Sequence, residues 1–513
     1  MSLFTRRHSV RRVLSLTIAS LAVTAPLASA TTPEFSSADR ALQTITAGSS
    51  GNFATETAGL RAFFGGSAGP AIVIAHPFVA VGGRADAGEL WVLPASGTGS
   101  SPISGASLAL HVVGGARFRI GADVIDAGDV NGDGRSDLLA TAPRKGVAGY
   151  KTPGSAFVIY GRSSGGTIDL SAPPVGYGFE IKGISDTAYG TGTGNATSGD
   201  FTGDGLSDIA LVGGYWKKGG FNYSTAIYLI KGARSSSTVD LQKLSSSRGL
   251  KLVSFPTPAI PTVASAGDAN GDGRPDLAVG APHINLPGAK YPVSAAYVLF
   301  TPTRLKTTAL PTVGSTGYRI SGYAGPGTWA PVITSLGDAN GDGKGDIATI
   351  TDSGGLGSSG GGRATVVFGS ASTQTVNASS PGNRGYVVRA TAPGGGLSRM
   401  FDAIASAGDA NGDGKADLLI RELVSTPGAS KPQSLILLTG RSAGSAGIAP
   451  LDAGLLTSPD ARIVIPDIAC AADNVTTGFA HSFGELPNSS GKFLIGSLGA
   501  TECSDRVEVV SVR

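Results

Sequence analysis

Charge and sulfur are both scarce in this chain. Of its 513 residues only 15% are Asp, Glu, Lys or Arg, and there are just two cysteines and two methionines. So little charge suits tight turns and few exposed helices, and no segment after residue 30 keeps the 3.6-residue apolar period of a helix. The longest apolar stretch, residues 13–23, has eleven residues, whereas a bilayer needs about 20. No basic cluster or recognition motif marks a nucleic-acid binder. Beyond the first 30 residues the histidines are His76, His111, His283 and His481. They read as scattered, one to a blade, which supports neither a zinc site nor a triad, and His76 before Pro77 reads as a turn residue. G-x-S-x-G occurs at 65–69, 161–165 and 440–444, in each case without the strand-to-helix elbow that exposes a nucleophile.

What the chain has in abundance is glycine, 78 residues of it, and one nine-residue pattern written five times. Each copy has the form D-x-(N/T)-x-D-G-x-x-D. The five are Asp129, Asn131, Asp133, Asp137; Asp200, Thr202, Asp204, Asp208; Asp268, Asn270, Asp272, Asp276; Asp338, Asn340, Asp342, Asp346; and Asp409, Asn411, Asp413, Asp417. Oxygen side chains at positions one, three, five and nine, with Gly at six for a sharp reversal, suit a hard cation. Calcium takes six to eight oxygens at about 2.3–2.6 Å, one of them a backbone carbonyl near position seven. Here that carbonyl belongs to Arg135, Leu206, Arg274, Lys344 or Lys415. An EF-hand is excluded, because its twelfth residue is a bidentate Glu and these are Ala140, Leu211, Val279, Thr349 and Ile420. The reading is about five calcium ions in structural sites, with the Asp200 loop weakest because Thr202 replaces Asn.

The first aspartates are 71, 68, 70 and 71 residues apart, and a fixed period marks a repeat architecture. Each loop is followed by a short apolar run, then by two more strand-like runs, such as 155–161 and 178–182. Four-stranded sheets repeated in this way are the blades of a β-propeller. Weaker units flank the five: 71–74 and 90–93 before them, 493–495 and 507–510 after. The expected fold is therefore all-β, a seven-bladed propeller with cation loops in five blades. Its repeats run at about 51–115, 116–183, 184–254, 255–322, 323–391, 392–466 and 467–513. The last unit lacks a fourth strand, and residues 41–46, within the segment 31–50, have the alternation to supply it and close the ring.

The runs 127–143 and 266–282 resemble FG-GAP repeats, the units of the integrin α-subunit N-terminal propeller and of many secreted bacterial proteins. Gly280-Ala281-Pro282 carries the second half of that name, and Thr141-Ala142-Pro143 nearly does. The first half is poorly kept. The resemblance covers nearly all of the chain after residue 30. It implies a partner-binding face at the loops joining second and third strands, opposite the cation loops.

Those loops carry Lys145, Tyr150, Tyr215, Trp216, Lys217, Lys218 and Tyr291. Aromatics beside cations suit sugar faces, carboxylated polymers or the acidic rim of a protein; ordinary solvated loop decoration is the alternative. Arg6, Arg7, Arg11 and Arg12, an apolar core and Ala28-Ser29-Ala30 form a signal peptide, residues 1–30, cleaved near Ala30. This expects a secreted or periplasmic protein with no transmembrane segment and no nucleic-acid partner. Removing those four arginines lowers the formal net charge from +3 to −1. In an exported chain the two cysteines, Cys470 and Cys503, favour a disulfide over two unpaired thiols. Three functions compete: a calcium-stabilised interaction or adhesion module for a protein or surface ligand, a lectin-like propeller, and a polysaccharide lyase or hydrolase.

Overall fold

A computed structural model describes residues 34–511 apart from 37–40, 47–55, 66–68, 96–98, 103–108, 144, 146–153, 185–195, 217–222, 256–260, 285–289, 302–309, 311–315, 324–330, 353–362, 390–397, 426–432, 443–450, 453–460, 466–478, 486–491 and 498–505. The described chain is all-β, with helix confined to 3-10 turns such as Leu241–Lys243 and Gly382–Arg384.

The strands form antiparallel groups in chain order. The first group is Glu56–Leu60, Ala71–His76, Glu89–Pro94 and Leu110–Val113. The second is Val124–Gly128, Asp137–Ala142, Gly154–Ile159 and Gly178–Ile184. The third is Ala196–Gly199, Asp208–Trp216, Tyr223–Ile230 and Gly249–Phe255, joined to the second by one pairing, Ile184 with Gly213. The fourth is Thr262–Gly267, Asp276–Ile284, Val293–Leu299 and Gly317–Ser321. The fifth is Val332–Gly337, Asp346–Asp352, Arg363–Val367 and Gly385–Arg389. The sixth is Ser398–Gly408, Asp417–Ser425, Gln433–Leu438 and Ala461–Ile465. In the seventh, Phe479–Glu485, Lys492–Ser497 and Arg506–Ser511 are followed by Ala41–Thr46, antiparallel to Arg506–Ser511. Repeated four-to-five-stranded sheets of this kind are the construction of a β-propeller. The first strands of successive groups touch, and Phe479–Glu485 in turn touches Glu56–Leu60.

Burial explains the sequence of each strand. First strands such as Thr262–Gly267 and Val332–Gly337 alternate between buried and half-exposed positions. Second and third strands lie between neighbouring sheets, so Gly154–Ile159 is buried at every residue and Ala71–His76 at all but the last. A strand covered on both faces reads as a continuous apolar run.

The core accordingly sits at the junctions. Leu139, Val158, Phe179 and Ile181 of the second group pack against Ile209, Leu211, Tyr228 and Ile230 of the third. The other face of the third, with Ile227 and Leu229, packs against Val279, Tyr297 and Leu299 of the fourth. Each such side chain contributes roughly 1.5–3 kcal/mol.

A fifth strand, too short to read in the sequence, covers the outer edge of six groups. In all but the sixth group it comes from the stretch joining third and fourth strands of the following group, as where Gly166–Asp169 pairs in parallel with Leu110–Val113. Val239–Asp240, Val376–Asn377 and Leu451–Asp452 do the same for the second, fourth and fifth groups. Glu34–Ser36 pairs with Ala461–Ile465, and Gly99–Pro102 with Ala41–Thr46. Exposed edges invite intermolecular pairing, and these segments occupy them.

Candidate metal centres

All five Asp-rich loops join a first strand to a second, at one end of the sheets. In the Asp268 loop, Gly271 and Asp272 donate backbone N–H to Asp268 Oδ1 at 2.7 and 2.9 Å, and Gly273 donates to Oδ2 at 2.7 Å. Asn270 Oδ1 accepts from the Asp272 backbone at 2.7 Å, and Asp272 Oδ1 accepts from that of Arg274 at 3.0 Å. The first-position carboxylates of the Asp129, Asp200 and Asp338 loops accept the same three bonds. Asp409 accepts from Asp413 and Gly414. Position six takes φ between 82° and 89°, at Gly134, Gly205, Gly273, Gly343 and Gly414. A side chain there would be strained by the backbone alone.

The ninth-position aspartates, Asp137, Asp208, Asp276, Asp346 and Asp417, are fully buried. One oxygen of each accepts from the backbone of its own loop, as Asp346 Oδ2 does from Ala339 at 2.9 Å. The other accepts from a residue just beyond the third strand: Gly161, Gly232, Thr301, Gly369 or Gly440. Burial pushes these carboxyls up, to about 7 for Asp137, Asp276 and Asp346 and to about 6 for Asp208 and Asp417. The backbone bonds oppose the rise, and neighbouring loop carboxylates add to it. At Gly161 and Gly440 an added Cβ would lie 2.6 Å from Ser136 O and 2.8 Å from Ala416 O. Two of the G-x-S-x-G matches thus begin at a glycine that serves a loop aspartate, and Ser442 Oγ donates to Asn340 O at 2.6 Å.

Loops of adjacent groups are tied together. Ser207, Gly345 and Ala416, at position eight, donate to the carbonyls of Asp129, Asp268 and Asp338 in the preceding loops at 2.8–2.9 Å. Position eight of the Asp268 loop is Pro275, which has no N–H to give. In the first group the corresponding turn carries Phe63 and Phe64, both buried and packed edge to face at 5.1 Å. Apolar packing fills that place.

Among the described residues, no three or more His, Cys, Asp or Glu side chains form a ready-made metal cage. A carboxylate has about four lone-pair sites, so the backbone bonds leave capacity on each oxygen. Three carboxylates, an Asn or Thr oxygen and a position-seven carbonyl fit a hard divalent cation. The buried ninth-position carboxyl, raised for want of a counter-charge, fits it as well. The Thr202 loop lacks the paired Asn–Asp bonds that Asn131, Asn270 and Asn411 make to Asp133, Asp272 and Asp413.

The opposite end of the sheets is described in part. Lys145 Nζ donates to Glu180 Oε1 at 2.6 Å and lies over the Phe118 and Phe157 rings. Tyr291 is 68% exposed, with Lys290 over its ring. Tyr215 and Trp216 end a second strand, paired with Ser224 and Tyr223. Tyr150, Lys217, Lys218, Cys470 and Cys503 lie outside the described residues, as do residues 1–30.

One constellation escaped the sequence. His76 and His111 are not one to a blade: both belong to the first group and converge on Glu89. His111 Nε2 and Glu89 Oε2 share a hydrogen bond at 2.7 Å, His76 Nδ1 lies 3.5 Å from Oε1, and Trp91 stacks on His111 at 3.9 Å. Burial raises the Glu89 carboxyl, but the bonds from His111 and His76 outweigh it and hold it at about 2. The cross-strand register, His76 opposite Glu89 and Trp91 opposite His111, is the signal that could have revealed it.

The chain carries FG-GAP repeats. The FG-GAP repeat matches residues 122–159 and 261–299, each covering the first three strands and the Asp-rich loop of one group. The chain is also similar to phosphatidylinositol-glycan-specific phospholipase D of Mus musculus, 27% identical over 202 residues, 39% of this chain and 22% of that protein. The protein of that name from Rattus norvegicus is 28% identical over 34% of this chain and 20% of its own length. That from Dictyostelium discoideum is 29% identical over 30% and 17%. The similarity thus spans about a fifth of these relatives. No helix among the described residues is long and apolar enough to cross a membrane.

Proposed function

We propose that this protein is a secreted, calcium-stabilised interaction module, a closed seven-bladed propeller that binds a protein or surface ligand through the face opposite its metal loops. The observation that carries the reading is the fivefold recurrence of one cradle with a fully buried carboxylate at position nine. The FG-GAP repeats and the cycle of contacts among first strands support it. Calcium enters as a structural ion. The side chains at positions one, three, five and nine and the position-seven carbonyl hold it, and it neutralises carboxylates that otherwise repel one another. A disulfide between Cys470 and Cys503 belongs to the same reading of an exported protein.

Calorimetric titration of the metal-free protein tests this. About five calcium ions are expected per chain, with the Asp200 loop weakest. An absence of binding, or a melting temperature indifferent to chelator, overturns it.

The similarity to phosphatidylinositol-glycan-specific phospholipases D favours a second reading. In it, the propeller serves hydrolysis of a lipid-linked glycan, within this chain or beside a catalytic partner. Release of a phosphatidylinositol-glycan-anchored protein from membranes by the purified chain would decide for it.

A further inference from the structure

We infer that the first sheet carries a binding site for a carboxylated sugar, a uronate unit, at the end opposite the metal loops. The inference rests on the proposal that the protein binds through that face, and it places the site on a different blade from the aromatic loops of blades two to four.

The platform is made by two connections: residues 77–88, between second and third strands, and 114–123, leading into the second group. They are laced together through the backbone, Arg117 donating to Ala85 O at 2.8 Å and Arg119 to Asp86 O at 3.0 Å, while Gly114 donates to Gly88 O at 3.0 Å. Asp86, Arg117 and Arg119, with φ of 50°, 62° and 52°, are the only non-glycine residues with left-handed backbone among those described. Such conformations persist where surrounding structure imposes them, and they gather at ligand sites. A surface built this way is rigid before it meets a ligand, which lowers the entropy lost on binding.

Two large side chains on the platform, Phe78 and Arg117, are exposed. Phe78 is 50% exposed, its ring backed by the Arg119 guanidinium at 5.0 Å. Arg117 is exposed, and no ion pair among the described residues includes it. The other cations nearby are already answered: Arg84 by Asp169, Arg119 by Asp86, and Lys145 by Glu180. The two laced connections therefore offer one aromatic face and one guanidinium outside the ion pairs of the described residues. Carbon-bound hydrogens of a pyranose stack on such a ring, and the planar fork of an arginine matches a carboxylate. A single free charge suits one uronate rather than a polyanion or an anionic bilayer, whose attraction grows with the number of basic groups. A protein partner would need a much larger surface, on the order of 800 Å² per side.

Titration of the full chain, in calcium, with a hyaluronan hexasaccharide tests the site. Maltohexaose serves as the neutral control and dextran sulfate as the polyanion control. Saturable binding of hyaluronan alone is expected, weakened about tenfold by Arg117→Gln, the cost of losing a charged hydrogen-bonding partner. A loss of similar size is expected from Phe78→Ala, with the melting temperature unchanged in both because both side chains are exposed. If Trp216→Ala weakens binding and these two do not, this patch is wrong while the face stands. If none of the three has an effect, the patch and the face both fail. No binding by the wild type, or equal binding of dextran sulfate, overturns the uronate site and leaves the calcium titration to judge the broader reading.

Discussion

On the calcium reading proposed above, metal, pH and folding meet at the ninth-position aspartates. In the metal-free protein their carboxyls titrate at about 6 to 7, raised by burial from an ordinary value of 3.8. Between roughly pH 4 and 7 the folded state then holds more protons than the unfolded one, so stability falls as pH rises through that window. Calcium binding requires the deprotonated carboxylate and strengthens over the same range. With chelator present, the melting temperature is expected to be higher at pH 5 than at pH 8, and with calcium in excess the order should reverse. A chelated protein more stable at pH 8 would show that these carboxyls are satisfied without a metal. The third loop position carries information of the same kind, because Thr202 lacks the amide with which Asn270 bridges to Asp272. Such differences are legible in the sequence, since loop chemistry depends on residues a few positions apart.

Strands and the junctions between them obey a longer-range logic. Arg384 lies 4.9 Å from the Tyr318 ring of the preceding group and donates to Phe368 O at 3.0 and 3.3 Å. Arg248 takes the same place over Phe179 at 5.4 Å. There all three guanidinium nitrogens are buried without a partner, and so is the Tyr160 hydroxyl nearby. The two junctions differ in which ring carries the hydroxyl. Phe179→Tyr should therefore give Arg248 an acceptor, worth about 1 kcal/mol, seen as a rise in melting temperature of about 1–2 °C. A fall would mean that the site has no room for the oxygen. The apolar runs of second and third strands identify them in the sequence, because burial on both faces leaves no alternation to misread. The covering fifth strands of two to four residues were not legible, since so short a stretch has no period. Their pairing is set by whichever neighbouring edge lies beside them.

At the scale of the whole molecule, the two ends of the chain meet in one sheet. Ala41–Thr46 pairs with Arg506–Ser511, and Glu34–Ser36 with Ala461–Ile465. The N-terminal segment thus supplies the fourth strand of the seventh group and the covering strand of the sixth. Deleting residues 31–50 removes both pairings and bares two strand edges. The truncated protein is expected to melt lower and to form dimers or larger species by light scattering. If it remains monomeric with unchanged melting, the segment contributes nothing to closure.

The sequence by itself determined the repeat, its period, the all-β class and the loop residues suited to a cation. All of these rest on local spacing: a nine-residue loop, a two-residue alternation and an interval of about 70 residues. Only the tertiary structure decided which side chains meet across sheets. It brought His76, Glu89 and His111 together, committed Lys145 to Glu180 and left Arg117 exposed on a connection laced to the one that carries Phe78. It also turned Gly161 and Gly440 from apparent catalytic motifs into backbone donors for Asp137 and Asp417. Such contacts join residues from 13 to 35 positions apart, brought together by strand register and sheet packing, and no local pattern encodes them.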